Sequence, residues 1–200
     1  MKKGFTLAEV LITLVIIGVI AAMTIPTLMN STNQQEFRTG LKKAISTVNQ
    51  AMSLNYALEG KQVGDETLNS AANVVDNLFK KRMSVISTQT SGAAFATVTG
   101  VTPSTDNVFY TADGMRFAIG TIGTGTLDAT SDENYYGFMI IDVNGEKGPN
   151  TMTTEAAAPR DTYVATVYGN RVVAGKTGVT TGASQAAREI MFDKKVAKNH

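Results

Sequence analysis

Cysteine is absent from this 200-residue chain, and histidine occurs once, as His200. The first absence excludes a disulfide scaffold, thiol catalysis and cysteine-based zinc or iron–sulfur sites. The second argues against Ser-His-Asp chemistry and histidine-rich metal sites. Charge of either sign is not in excess: 18 Lys and Arg against 17 Asp and Glu give a net charge of +1. A nucleic-acid partner normally shows itself as a basic excess, so none is expected. Proline is scarce (4), and 18 glycines follow neither a collagen-like nor a low-complexity pattern. What is there, 43% apolar residues over this length, suffices for one domain with a real core.

The charges are unevenly placed. None falls between Val10 and Gln35, and Val10 to Met29 is an apolar run of 20 residues. At about 1.5 Å per residue, a helix of that length matches the roughly 30 Å of bilayer hydrocarbon. Lys2 and Lys3 precede it, and the positive-inside tendency keeps such a short N-terminus cytoplasmic. A cleaved secretory signal would have a shorter apolar core and a better cleavage site than Ala21-Ala22-Met23. A plain anchor accounts for length and orientation but not for Glu9, since a carboxylate beside an apolar run is costly unless paired.

The stretch Lys2-Lys3-Gly4-Phe5-Thr6-Leu7-Ala8-Glu9-Val10-Leu11-Ile12 resembles the class III signal of type IV prepilins and type II secretion pseudopilins. The resemblance covers Lys2 to Met29. It implies cutting between Gly4 and Phe5 by a membrane prepilin peptidase, with N-methylation of Phe5. It also implies that Glu9 pairs, in an assembled filament, with the N-terminal amine of a neighbouring subunit. A buried charge that finds its partner only in the correct register selects assembly rather than stabilising it. Pro26 lies inside the run and predicts a kink or a locally melted stretch around Met23 to Pro26.

Downstream, Phe37, Leu41, Ile45, Val48, Met52 and Tyr56 recur every three or four residues, an apolar stripe that continues the helix to about Leu58. Residues 59–64 read as a break. Asp65-Glu66 then open a second amphipathic helix carrying Leu68, Ala72, Val75, Leu78 and Phe79, closed by Lys80-Lys81-Arg82, an arrangement of charge that suits the helix dipole. From Ser87 helical signals fade. Hairpins are expected at 107–119 around Asp113-Gly114 and at 163–174 around Gly169-Asn170, with a strand over Tyr135–Val143 between them. Loops are expected at 120–134 and 175–183, and a last helix over Ser184 to Lys198.

Ile141-Asp142-Val143-Asn144-Gly145-Glu146-Lys147-Gly148-Pro149-Asn150 is similar to the Asp-x-Asn-Gly-x-x-Gly-Pro-Asn loop of pseudopilins and minor pilins. In some of these a nearby loop holds calcium. Asp142, Asn144 and Asp161 are the oxygens that could serve here. Residues 151–159 are inserted where those relatives continue directly, and Asn-Gly is an ordinary turn former, so the expected cofactor set is none.

The expectation is therefore an α+β, pilin-like fold: a long N-terminal helix, its first half transmembrane, packed on an antiparallel sheet. The expected segments are a leader (1–4), a membrane and filament-core helix (5–29), its continuation (30–58) and a globular head (59–200). The expected role is structural, not enzymatic. It is that of a subunit of a type IV pilus-like filament, whose partners are prepilin peptidase, copies of itself, minor pilins or pseudopilins, and inner-membrane assembly machinery. The place is the inner membrane, then an extracellular pilus or a periplasmic pseudopilus. The alternatives are a type II secretion pseudopilin and a membrane-anchored binding module.

Overall fold

One helix, α1 (Leu7–Glu59), accounts for 53 residues, against the expected Thr6 to Leu58. The computed structural model describes residues 4, 6–89, 107–120, 126–127, 134–148, 150, 160–175, 187–188 and 190–191. These fall into two compact units, Met1–Glu36 and Phe37–His200, and α1 contributes to both. The run from Val10 to Val19 is rich in Val, Ile and Thr, which in water are mediocre helix formers. In lipid the balance differs, because a helix satisfies every backbone group from within. The helix is unbroken from Met23 to Pro26, so the melted stretch is not seen in the subunit.

The second half of α1 buries one stripe in the head. Phe37, Leu41, Ala44, Ile45, Val48, Ala51 and Met52 are buried. Tyr56, expected to end this stripe, is instead 55% exposed. Asn55 takes the inner position, fully buried, with its amide donating to the Lys61 carbonyl (3.1 Å) and accepting from Arg82 Nε (3.4 Å). The chain turns back immediately after α1, at Gly60 with φ +66°, and that returning backbone needs a polar partner rather than a ring.

The second helix begins later than expected. Asp65 is used to close a turn, accepting from the Gln62 amide at 2.7 Å, with Gly64 at φ +97° beside it. Ser70 is the true N-cap, accepting from the Asn73 amide at 3.2 Å. α2 (Ala71–Val74) runs into a π-helical turn (Val75–Phe79) and a last turn, α3 (Lys80–Arg82). The later start rotates the buried face, so Ala71 and Val74 are buried and Ala72 is exposed.

Among the described residues seven strands follow: β1 (Val85–Gln89), β2 (Val108–Thr111), β3 (Arg116–Ile119), β4 (Thr126–Leu127), β5 (Asn134–Asp142), β6 (Thr162–Tyr168) and β7 (Val172–Ala174). They form one antiparallel sheet in the order β1-β2-β3-β5-β6-β7, with β4 paired to the start of β5. Both expected hairpins are present, as β2–β3 and β6–β7. β1 was not anticipated, and β4 occupies part of the expected 120–134 loop. Of the C-terminal helix, Ala187, Arg188, Ile190 and Met191 are described and helical; the rest lies outside the described residues, as does the expected loop from 176 to 183.

Register sorts the sheet into two faces. Phe109, Phe117, Ile141 and Tyr163 are successive cross-strand neighbours on one face, Val108, Ala118, Ile140 and Val164 on the other. The first set joins the main core with α1 and residues 71–79; the second forms a smaller cluster. Phe79, Phe109 and Phe117 stack with centroids 5.1 and 4.9 Å apart, an aromatic column that ties helix to sheet. Two features draw α1 close. Asn49 bonds both backbone groups of Val172, accepting from its N–H (2.6 Å) and donating to its carbonyl (3.0 Å). Gly40 comes so near β5's end that a Cβ there would lie 3.0 Å from that of Val143.

Candidate functional site

The residues singled out for processing surround the start of α1. Gly4 is exposed, and a side chain there would meet nothing within 4 Å. Among the described residues, packing makes no demand for glycine at this position. Phe5, Lys2 and Lys3 lie outside the described residues.

Glu9 has a partner that sequence reasoning overlooked. Its carboxylate accepts from the Thr6 amide (2.8 Å) and from the Thr6 hydroxyl (2.9 Å), while the Glu9 amide donates to Thr6 Oγ1 (3.3 Å). This is a reciprocal capping box, and Thr6-Leu7-Ala8-Glu9 is its T-x-x-E signature. The signal was legible in the sequence. Cutting after Gly4, as the sequence leads one to expect, would leave Thr6 acylated by Phe5 and the box intact.

Further along, hydroxyls in the apolar segment bond back to the helix. Thr13 donates to the Glu9 and Val10 carbonyls (3.0 and 2.9 Å), Thr24 to Ile20 (3.0 Å) and Thr27 to Met23 (3.4 Å). Such self-satisfied hydroxyls enter lipid at little cost. Pro26 withdraws the one donor that would go to the Ala22 carbonyl.

Fourteen large apolar side chains between Leu7 and Met29 are exposed. At about 1.5–3 kcal/mol for each on burial, leaving them in water forfeits on the order of 20 kcal/mol or more. That exceeds the whole net stability of an ordinary domain, about 5–15 kcal/mol. The segment is long and apolar enough to cross a membrane, and none of it is buried within the chain.

Residues 1–25 match the family described as the Prokaryotic N-terminal methylation motif. The N-terminus is a prepilin-type signal. It marks the chain as a pilin- or pseudopilin-like substrate of prepilin peptidase, and the single apolar helix that follows fits membrane anchoring. No curated protein and no solved structure matches the chain.

Far from the signal in sequence, the loop after β5 was the place expected to offer calcium ligands. The structure does bring Asp142, Asn144 and Asp161 to one region, but in a different relation. Asp142, fully buried, is bonded through Oδ2 to Arg116 Nη2 at 2.9 Å, and its Oδ1 accepts from the Asn144 amide at 3.3 Å. Asp161, also buried, accepts from the Asn150 amide (2.7 Å) and the Thr162 hydroxyl (3.2 Å). The side-chain amides of Asn144 and Asn150 donate from Nδ2 to the Gly148 and Glu146 carbonyls (3.1 and 3.2 Å), closing the loop on itself.

Calcium takes about six to eight oxygens. Among the described residues, the loop's buried oxygens without a partner are Asn144 Oδ1 and Asn150 Oδ1, and no cluster of three acidic or histidine ligands exists. Among the described residues, Asp142 is thus engaged by Arg116 and the Asn144 backbone, and Asp161 by the Asn150 backbone and Thr162. Burial pushes the Asp142 carboxyl up to about 6, with Arg116 drawing it back and Asp161 adding to the rise. Arg116 was not singled out from sequence, since its partner is assigned only by the pairing of β3 with β5.

Proposed function

We propose that the chain is a non-catalytic structural subunit of a type IV pilus-like filament, matured by cleavage between Gly4 and Phe5 and methylation of Phe5. The observation that carries this reading is an unburied apolar helix led by a prepilin-type signal. In the membrane, lipid covers the apolar surface of α1. In the filament, neighbouring helices of the same kind replace lipid, so cohesion comes from packing apolar helix against apolar helix, while Glu9 sets the register.

Glu9 is suited to that role because its carboxylate is already held by Thr6 at a fixed place on the first turn. When the Phe5 amine of a neighbour approaches, an oriented carboxylate meets it without first losing rotamer freedom. A mismatched neighbour leaves the ammonium unpaired in an apolar core, at a cost of several kcal/mol. The N-terminus is cytoplasmic before assembly and the head lies on the opposite side of the membrane.

A type II secretion pseudopilin shares the processing signal. The test is mass spectrometry of protein extracted from membranes and from sheared surface filaments. Loss of Met1 to Gly4 with N-methyl-Phe5, in material recovered from the cell surface, is the expected outcome. An intact Met1 in filaments refutes the processing step, and recovery only from the periplasmic space refutes the pilus.

A further inference from the structure

The loop joining β5 to β6 resembles one that in some relatives depends on a metal ion, yet here a side chain stands at its base. Arg116 lies directly across from Asp142 in the β3–β5 ladder, so the two side chains emerge on the same face at adjacent positions. Both are buried, with side-chain exposures of 7% and 0%. On the next strand Asp142 faces Thr162, whose neighbour Asp161 anchors the far end of the loop through the Asn150 amide. The Asp161 carbonyl also accepts from the Val143 amide at 3.0 Å. The start of the loop and Asn150 are thus fixed to one polar cluster, and Arg116 is the cation bonded to Asp142 within it.

We propose that the Arg116 guanidinium is the resident cation at the base of this loop, taking the place of a divalent metal, so that the head folds and holds residues 142–148 without calcium. A guanidinium is always protonated and needs no supply from the medium. It is delivered by the strand register itself, so it is in place as soon as β3 pairs with β5. A head built this way keeps its form wherever free calcium is scarce. Calcium dependence is thereby replaced by dependence on one cross-strand ion pair.

The experiment uses the full-length protein in detergent. Thermal unfolding is followed by circular dichroism with millimolar calcium and with excess chelator, and calcium is titrated calorimetrically. The expected result is the same Tm in both media and no heat of specific binding. A site filled to about 100 times its Kd raises Tm by several degrees, so a calcium-dependent Tm overturns the proposal. Arg116→Met is expected to lower Tm strongly by stranding the Asp142 carboxylate, and Arg116→Lys to retain most of it. An unchanged Tm in Arg116→Met refutes the role of the guanidinium. If Arg116→Met does not fold, the double variant Arg116→Met with Asp142→Asn decides the matter. Removing both charges is expected to restore a folded head, and failure to do better than the single variant shows that Arg116 acts through packing alone, which overturns the proposal.

Discussion

Replacing Glu9 by Gln separates two things the carboxylate does. At the helix start, Gln keeps an acceptor for the Thr6 amide and is itself a capping-box residue, so α1 loses only a few tenths of a kcal/mol. At the filament interface, the same change leaves the neighbour's ammonium without a counter-charge, at a cost of about 3 kcal/mol or more, a factor of about 100 in incorporation. Thr6→Val is the complementary perturbation. It keeps the Glu9 charge but removes the hydroxyl that accepts from the Glu9 amide and donates to its carboxylate, a loss of about 1 kcal/mol and about fivefold. Each variant is expressed beside wild-type subunit, and incorporation is scored by mass spectrometry of sheared filaments. Membrane insertion and cleavage stay near normal in both. Equal incorporation of Glu9→Gln and wild type would show that the charge does not select register. A Thr6→Val defect as deep as that of Glu9→Gln would place the effect in the helix cap.

Changing Gly4 to a bulky residue is expected to leave uncut precursor in the membrane with the head still folded, since none of the described residues crowds Gly4; a normal yield of mature protein refutes the cleavage site. A fragment beginning at Ser31 retains the whole unit from Phe37 to His200 and is expected to be soluble and folded without detergent, whereas the full chain requires it; gel filtration and circular dichroism check both. Asp142 has its folded carboxyl raised to about 6 from 3.8, so the folded head binds a proton that the unfolded chain has released. The contribution of this carboxyl to stability is therefore expected to be greatest below about pH 4 and to fall by about 3 kcal/mol as pH rises through about 6, a component that Asp142→Asn removes from urea titrations. Gly64→Ala is expected to cost about 1–3 kcal/mol, because φ is +97° and the new Cβ would meet the Tyr136 ring at 2.1 Å; an unchanged urea midpoint would contradict the close approach.

Several elements were legible because their causes are local. The charge-free run, the stripe from Phe37 to Met52 and the T-x-x-E box depend on residues within a few turns of each other. The two hairpins were readable from Asp113-Gly114 and Gly169-Asn170, since Gly114 supplies the φ of +85° that a tight turn demands. β1 was not, because Val-Ile-Ser-Thr-Gln at a sheet edge is mostly exposed and carries little alternation. The exchange of Tyr56 for Asn55 depended on where the chain goes after Gly60. The capping role of Ser70 depended on Asp65 being drawn into a turn with Gln62.

By itself the amino-acid sequence determined the processing signal, the membrane-length helix and the α+β order of elements, because hydrophobic period and turn chemistry act over short spans and need no partner. Only the tertiary structure decided what becomes of the charged residues in the head. Arg116 and Asp142 are 26 positions apart, and nothing local to either one names the other. They meet because β3 and β5 pair in one register, a register that seats Phe117 beside Ile141 in the core. A slip of one residue would turn those apolar side chains to the opposite face. The packing of the apolar face thus chooses which carboxylate the guanidinium finds.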